Sequence, residues 1–116
     1  LNMYTIYHNP RCSKSRQTLA LLNECNVSVK IIEYLTNPPT ARELEKISEK
    51  LDMSPINFIR KKESKFSELG LESYSGSDFE LCKIMSDNPK LIERPIVVKD
   101  NKAIIGRPPE NVQGLF

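Results

Sequence analysis

Two strand-like runs with one helical run between them, all within about the first thirty-five residues, constrain this chain more than any other feature. Met3-Tyr4-Thr5-Ile6-Tyr7 reads as a strand, ended by the turn-favouring pair Asn9-Pro10. Thr18-Leu19-Ala20-Leu21-Leu22 follows as an apolar helical run, and its three-residue spacing directs Leu19, Leu22 and Cys25 toward a core. After Asn26-Val27 comes Val29-Lys30-Ile31-Ile32-Glu33-Tyr34-Leu35, a β-branched run bounded by Thr36-Asn37-Pro38-Pro39. A strand, a helix and a strand at this spacing form a βαβ unit, so the two strands run parallel through a right-handed crossover.

The middle of the chain changes period. Thr40 with Glu43 makes a capping box for a helix to about Leu51, and Ser77 with Glu80 repeats the pattern ahead of Phe79, Cys82 and Met85 on one face. Ser54-Pro55 is a further helix start leading to Phe58-Ile59-Arg60, with proline at the first helical position. Lys61-Lys62-Glu63-Ser64-Lys65 reads as a solvated face. Toward the end, Pro95-Ile96-Val97-Val98-Lys99 and Lys102-Ala103-Ile104-Ile105 flank Asp100-Asn101, an antiparallel hairpin around a two-residue turn. Gly106-Arg107-Pro108-Pro109-Glu110 leads into a final short helix. The expected fold is α/β: a mixed four-stranded sheet in the order β-α-β, helical insertion, β-β-α, which is the thioredoxin-like plan. At this length the chain reads as one domain over 3–116, with the insertion at about 40–90.

Within that plan Cys12 occupies a chemically special place, between the first strand and the first turn of the first helix. Helix-start N–H groups lack internal partners and the dipole is positive there, so thiolate is favoured over thiol. An oxyanion can dock on the same N–H groups. His8 lies four residues upstream, and Arg11, Lys14 and Arg16 add positive charge. The remaining thiols, Cys25 and Cys82, fall at core spacing. Three scattered cysteines and one histidine show no metal-ligand spacing, and their odd number is unlike a secreted disulfide framework. A reducing cytoplasm fits best. A net charge of +2, without a basic stripe interleaved with aromatics, excludes a nucleic-acid platform, and no apolar run approaches a membrane span. No secretory signal pattern opens the chain.

These residues also resemble a known family. Ile6-Tyr7-His8-Asn9-Pro10-Arg11-Cys12, then Tyr34-Leu35 with Asn37-Pro38-Pro39, then Leu91-Ile92-Glu93-Arg94-Pro95-Ile96-Val97-Val98 and Gly106-Arg107-Pro108 together are similar to the glutaredoxin-dependent arsenate reductase (ArsC-like) family over nearly the whole chain. The resemblance implies that Cys12 is the nucleophile that bonds to arsenic and that His8 tunes its loop. It implies that Arg60, Arg94 and Arg107 surround the oxyanion and that Pro95 is a cis-proline beside the cysteine. Guanidinium forks suit a tetrahedral oxyanion and keep their charge at any relevant pH. Arg60, heading the Lys61-Lys62 run, also reads as plain surface, whereas Arg94 and Arg107 each precede a proline at an element boundary. Ser15 and Arg16 support the loop. The partners implied are arsenate, glutathione as co-substrate and a glutaredoxin, with no tightly bound cofactor.

Position 15 departs from a dithiol motif: Cys12-Ser13-Lys14-Ser15 is C-x-x-S. The phosphatase-like arsenate reductases, with their Cys-x5-Arg loop, are also disfavoured, since position 18 is Thr. One competing reading is a Spx-like regulator that binds RNA polymerase on the same fold, whose redox switch typically uses C-x-x-C. Another is a family relative that acts on a different thiol or oxyanion substrate.

Overall fold

Strand β1 (Met3–His8) is the line along which the sheet is assembled. In the computed structural model, which describes residues 3–116, β1 pairs in parallel with β2 (Ser28–Glu33) and antiparallel with β3 (Ile96–Lys99). A hairpin joins β3 to β4 (Lys102–Ile105), giving the order β2-β1-β3-β4. Asp100 makes the hairpin turn at φ 55°, in the left-handed region that short polar side chains tolerate. The sheet is therefore mixed, as its sequence pattern requires. β2 stops at Glu33 rather than Leu35, because the Glu33 carbonyl accepts from both Thr36 N–H (3.2 Å) and Asn37 N–H (2.9 Å) and the chain turns there.

The chain divides into two compact units, the first formed by residues up to Asn37 with Arg94–Phe116, the second by Pro38–Glu93. In the first, helix α1 (Ser13–Glu24) and a 3-10 helix at Pro109–Leu115 pack on the sheet. Alternation along β1 buries Tyr4, Ile6 and His8. Tyr4 and Ile6 form a core with Leu22, Val97, Val112 and Leu115, against which Leu19, Leu21 and Val29 pack. Each large aliphatic side chain so buried contributes about 1.5–3 kcal/mol. The buried Tyr4 ring keeps its polar end satisfied by donating to the Leu115 carbonyl at 3.2 Å. The final helix is 3-10 throughout, not α.

Cys25 corrects the sequence reading: it is exposed. α1 ends at Glu24, and Cys25 is its C-cap with φ −86° and ψ 1°, so the three-residue spacing does not continue through it.

In the second unit, α2 (Ala41–Leu51) and α4 (Asp78–Asp87) each begin with the expected capping box, Thr40 with Glu43 and Ser77 with Glu80. They pack together through Leu44, Ile47 and Leu51 on one side and Leu81, Cys82 and Met85 on the other. Phe79 does not share that face; it lies in the first turn of α4 and is exposed. The Ser54-Pro55 start yields a single 3-10 turn, Pro55–Asn57. Beyond it, Ile59 enters an antiparallel bridge with Ile92, with Arg60 N–H donating to Leu91 O (2.7 Å) and Glu93 N–H to Phe58 O (3.0 Å). Lys61 and Lys62 are exposed as expected, but the run ends in a short helix α3 (Ser64–Glu68) that buries Phe66.

Candidate active site

Asn9 fixes the loop that carries Cys12. Its carbonyl accepts from Cys12 N–H (3.0 Å), its Oδ1 from Arg11 N–H (3.0 Å), and its own N–H donates to Ser15 Oγ (3.0 Å). Arg16 N–H then donates to Cys12 O at 3.0 Å and the helix begins. Arg16 also reaches back, its Nη1 donating to Pro10 O at 2.9 Å. Every turn of the loop is thus tied by an identified bond. Cys12 itself is the N-cap of α1, in extended conformation at φ −95° and ψ 121°.

The Cys12 thiol is half-buried. Burial by itself raises its pKa, but the Ser15 N–H, the Arg94 charge, the Lys14 N–H and the Arg107 charge outweigh it, and the net shift is downward. The two N–H groups act electrostatically from the helix start, without a full side-chain capping bond. Arg107 Nη1 stands 3.8 Å from the Cys12 sulfur and 3.5 Å from the Arg94 carbonyl. Arg94 and Arg107 each precede a proline in a cis peptide, Pro95 and Pro108. The cations that act on the thiol come from the far end of the chain, whereas the sequence reading placed this field on Arg11, Lys14 and Arg16.

His8 and Ser15 lie beneath the loop, both buried, and share a hydrogen bond of 2.6 Å between Nδ1 and Oγ. Ser15 is therefore no vacant second-thiol position; its hydroxyl ties the end of β1 to the helix start. Desolvation lowers the His8 pKa, against a smaller opposite effect of Glu33 and with the help of Arg16. The folded protein resists protonating this imidazole more than the unfolded chain does. Stability should then be complete above about pH 6.5 and decline as pH falls through the lower folded value. Urea midpoints near pH 7.5 and about pH 5 should show this decline in the wild type and a flatter response in His8→Gln. Equal slopes in the two proteins would remove His8 as its source.

Gly106 holds Arg107 close to α1. Its N–H donates to Pro95 O (2.9 Å), and a β-carbon here would collide with the buried Thr18 hydroxyl and lie 2.8 Å from Pro95 Cγ. Thr18 is itself tied to the helix, donating to Lys14 O at 2.8 Å. Gly106→Ala should cost about 1–3 kcal/mol of stability through overpacking. Thr18→Ala in the same chain should recover part of that, since it removes one of the two obstacles. An unchanged urea midpoint in Gly106→Ala would show that the segment yields freely.

The first unit thus brings together Cys12, His8, Ser15, Arg16, Arg94, Pro95 and Arg107. Arg60 lies in the second unit, where its guanidinium pairs with Glu63 at 3.1 Å and donates to Lys90 O at 3.3 Å. Cys82 is fully buried, and burial with the charges of Glu45 and Asp78 pushes its thiol up to about 11. Among the described residues, no group of three His, Cys, Asp or Glu could hold a metal ion. Sequence reasoning missed Asn9, Thr18 and Gly106 as site builders. The Asn-Pro pair signalled a turn, but the three bonds made by Asn9 exist only once β1 and α1 meet.

Known proteins resemble this chain in sequence and fold. The ArsC family matches residues 7–115. The uncharacterized protein YfgD of Escherichia coli (strain K12) is 51% identical over 108 residues, covering 92% of this chain and 91% of that protein. An arsenate reductase of Neisseria meningitidis serogroup B is 41% identical over 112 residues, 96% of each chain. Among solved structures, the arsenate reductase from Vibrio cholerae superposes with a TM-score of 0.93 at 43% identity over 98% of each chain.

Proposed function

The chain belongs to the ArsC family, with its thioredoxin-like fold, and on that footing we propose that it is an arsenate reductase, a thiol-dependent oxidoreductase supplied with electrons by glutathione and a glutaredoxin. One observation carries the reading: a thiol held toward thiolate has Arg107 Nη1 at 3.8 Å and the Arg94 charge acting on the same sulfur. Nucleophile and oxyanion clamp coincide. Guanidiniums neutralise a tetrahedral anion that a thiolate would otherwise repel, and they stabilise the charge that develops on its oxygens.

In the proposed reaction Cys12 thiolate attacks arsenic, forming a sulfur–arsenic bond as one arsenic–oxygen bond breaks and that oxygen, protonated from solvent, leaves as water. A glutathione thiolate then attacks the Cys12 sulfur. The sulfur–arsenic electron pair stays with arsenic, which departs as arsenite, two electrons richer. Cys12 is left in a mixed disulfide with glutathione; a glutaredoxin thiolate attacks the glutathione sulfur, forming a glutaredoxin–glutathione disulfide and releasing Cys12 as thiolate. The two electrons thus come from two external thiols. Such chemistry needs Cys12 kept reduced, which suits a cytoplasmic location; among the described residues no helix is long and apolar enough to cross a membrane.

NADPH consumption coupled through glutathione reductase, with arsenate, glutathione and glutaredoxin present, tests the proposal. Arsenate-dependent turnover supports it; thiol chemistry at Cys12 without arsenate dependence would turn the reading toward another oxyanion or thiol substrate. Arg60 enters on the family resemblance alone, and Arg60→Ala in the same assay decides its role. The Spx-like reading is weakened by Ser15, whose buried hydroxyl is bonded to His8 where a C-x-x-C switch needs a second thiol.

A further inference from the structure

Three cations near the nucleophile take no part in the chemistry described above. Arg94 and Arg107 favour the Cys12 thiolate, although Arg11, Lys14 and Arg16 stand nearer in sequence. Arg11 and Arg16 are exposed, Lys14 is half-buried, and none of the three forms an ion pair among the described residues. The first turn of α1 contains no acidic residue. The bond from Arg16 Nη1 to Pro10 O keeps that guanidinium at the loop, two residues ahead of the nucleophile, and the Asn9 bonds fix the backbone from which Arg11 projects. Glu33 acts on His8 from β2 but makes no ion pair with Arg16. Positive charge thus stands in two tiers: Arg94 and Arg107, which act on the sulfur, and an outer tier within four residues of Cys12 in sequence, Arg11 on the loop with Lys14 and Arg16 in the first turn of α1.

We propose that Arg11, Lys14 and Arg16 form a docking rim for a carboxylate-bearing thiol, the reductant that arrives at the Cys12 adduct. This rests on the thiol-dependent reading above, in which glutathione, with its two carboxylates, is such a thiol. Uncompensated charges around a reactive atom raise the local concentration of anions and steer their approach. The inner guanidiniums are occupied by the oxyanion at that stage, so the outer tier is left to receive the second anion. The rim acts on encounter and leaves the electron count of the reaction unchanged.

Thiol–disulfide exchange isolates this from arsenate chemistry. In Cys25→Ser/Cys82→Ser protein, Cys12 is converted to a mixed disulfide with 2-mercaptoethanol. Loss of that adduct is followed by mass spectrometry with mercaptosuccinate (anionic), thioglycerol (neutral) and cysteamine (cationic). An incoming thiolate forms one sulfur–sulfur bond as another breaks, and each rate is divided by the thiolate fraction of its reagent. Relative to the same reagents on a small disulfide in solution, the anionic thiol should be favoured over the neutral one by about tenfold at low salt, and the cationic thiol disfavoured. At about 1 M salt, where the screening length is about 3 Å, the preference should collapse. Arg11→Ala should reduce the anionic-to-neutral ratio, and Arg11→Glu more so. A ratio indifferent to salt, or kept by folded Arg11→Glu/Lys14→Glu protein, would overturn the proposal. So would a ratio lost only in Arg94→Ala or Arg107→Ala, which would assign the field to the inner tier. Arsenate is absent from this assay, so its outcome and that of the arsenate assay are independent.

Discussion

Cys25→Ser/Cys82→Ser protein should turn over arsenate at close to the wild-type rate with glutathione and glutaredoxin, and Cys12→Ser should show no turnover. The expectation follows from where the three thiols lie. Cys12 and Cys25 cap the opposite ends of the twelve-residue helix α1. At a rise of 1.5 Å per residue the two are on the order of 20 Å apart along the axis. A disulfide needs Cα atoms within about 7 Å, so pairing them would require melting α1. Cys82 is fully buried on α4 and its pKa is pushed up to about 11, so almost none of it is thiolate near neutral pH. Neither residue is suited to resolve an adduct on Cys12, and Ser15 cannot. The coupled NADPH assay measures turnover, and non-reducing mass spectrometry of arsenate-treated wild type looks for internal pairing. Loss of activity in the folded double variant, with a disulfide trapped in the wild type, would instead establish a resolving cysteine within the chain.

Arg107→Ala and Arg94→Ala should each lower kcat/KM for arsenate by about ten- to a hundredfold, the kinetic equivalent of losing about 1.5–3 kcal/mol of charged hydrogen bonding. Part of this loss should come through the nucleophile, because both guanidiniums favour the Cys12 thiolate. Two measurements separate the contributions. The pH midpoint of Cys12 alkylation should move upward in either variant, and saturation with arsenate should additionally weaken. Lysine at either position should restore much of the thiolate but less of the substrate binding, since an ammonium keeps the charge without the planar fork. Wild-type kinetics in both alanine variants would leave the arginines with a structural role only.

Much of the architecture could be read from periodicity, because the sheet is built from β-branched runs and both capping boxes sit where their Ser/Thr-x-x-Glu patterns lie. Misreadings fell at element ends. Cys25 extends the apolar spacing of α1 by one further step, but a C-cap leaves helical geometry and turns its side chain outward. Phe79 matches the face of α4 by number yet stands in the first turn, ahead of the stretch that meets α2. Cys12, His8, Arg94 and Arg107, which the first unit gathers, were each visible in the sequence, but the field at the Cys12 sulfur was not. Proximity in sequence suggested Arg11, Lys14 and Arg16 as the source of thiol activation. Spatially, the strand pairing of β1 with β3 brings Arg94 to the loop, and the Gly106 segment brings Arg107. Such long-range convergence leaves no local pattern.

The N–H groups of Ser15 and Lys14 supply their part of that field from α1 itself, but the part supplied by Arg94 and Arg107 is missing while the chain is being made. During synthesis Cys12 emerges about eighty residues ahead of Arg94, an interval of some seconds at about 5–20 residues per second. Over that interval neither guanidinium exists to draw the proton from the sulfur. The growing polypeptide thus carries a comparatively quiet thiol past oxidants and foreign disulfides, and full reactivity appears only when β3 and the Arg107 turn have settled against β1 and α1. Full nucleophilicity at Cys12 is in this sense a certificate of folding, begun by the N–H groups of α1 and countersigned by Arg94 and Arg107.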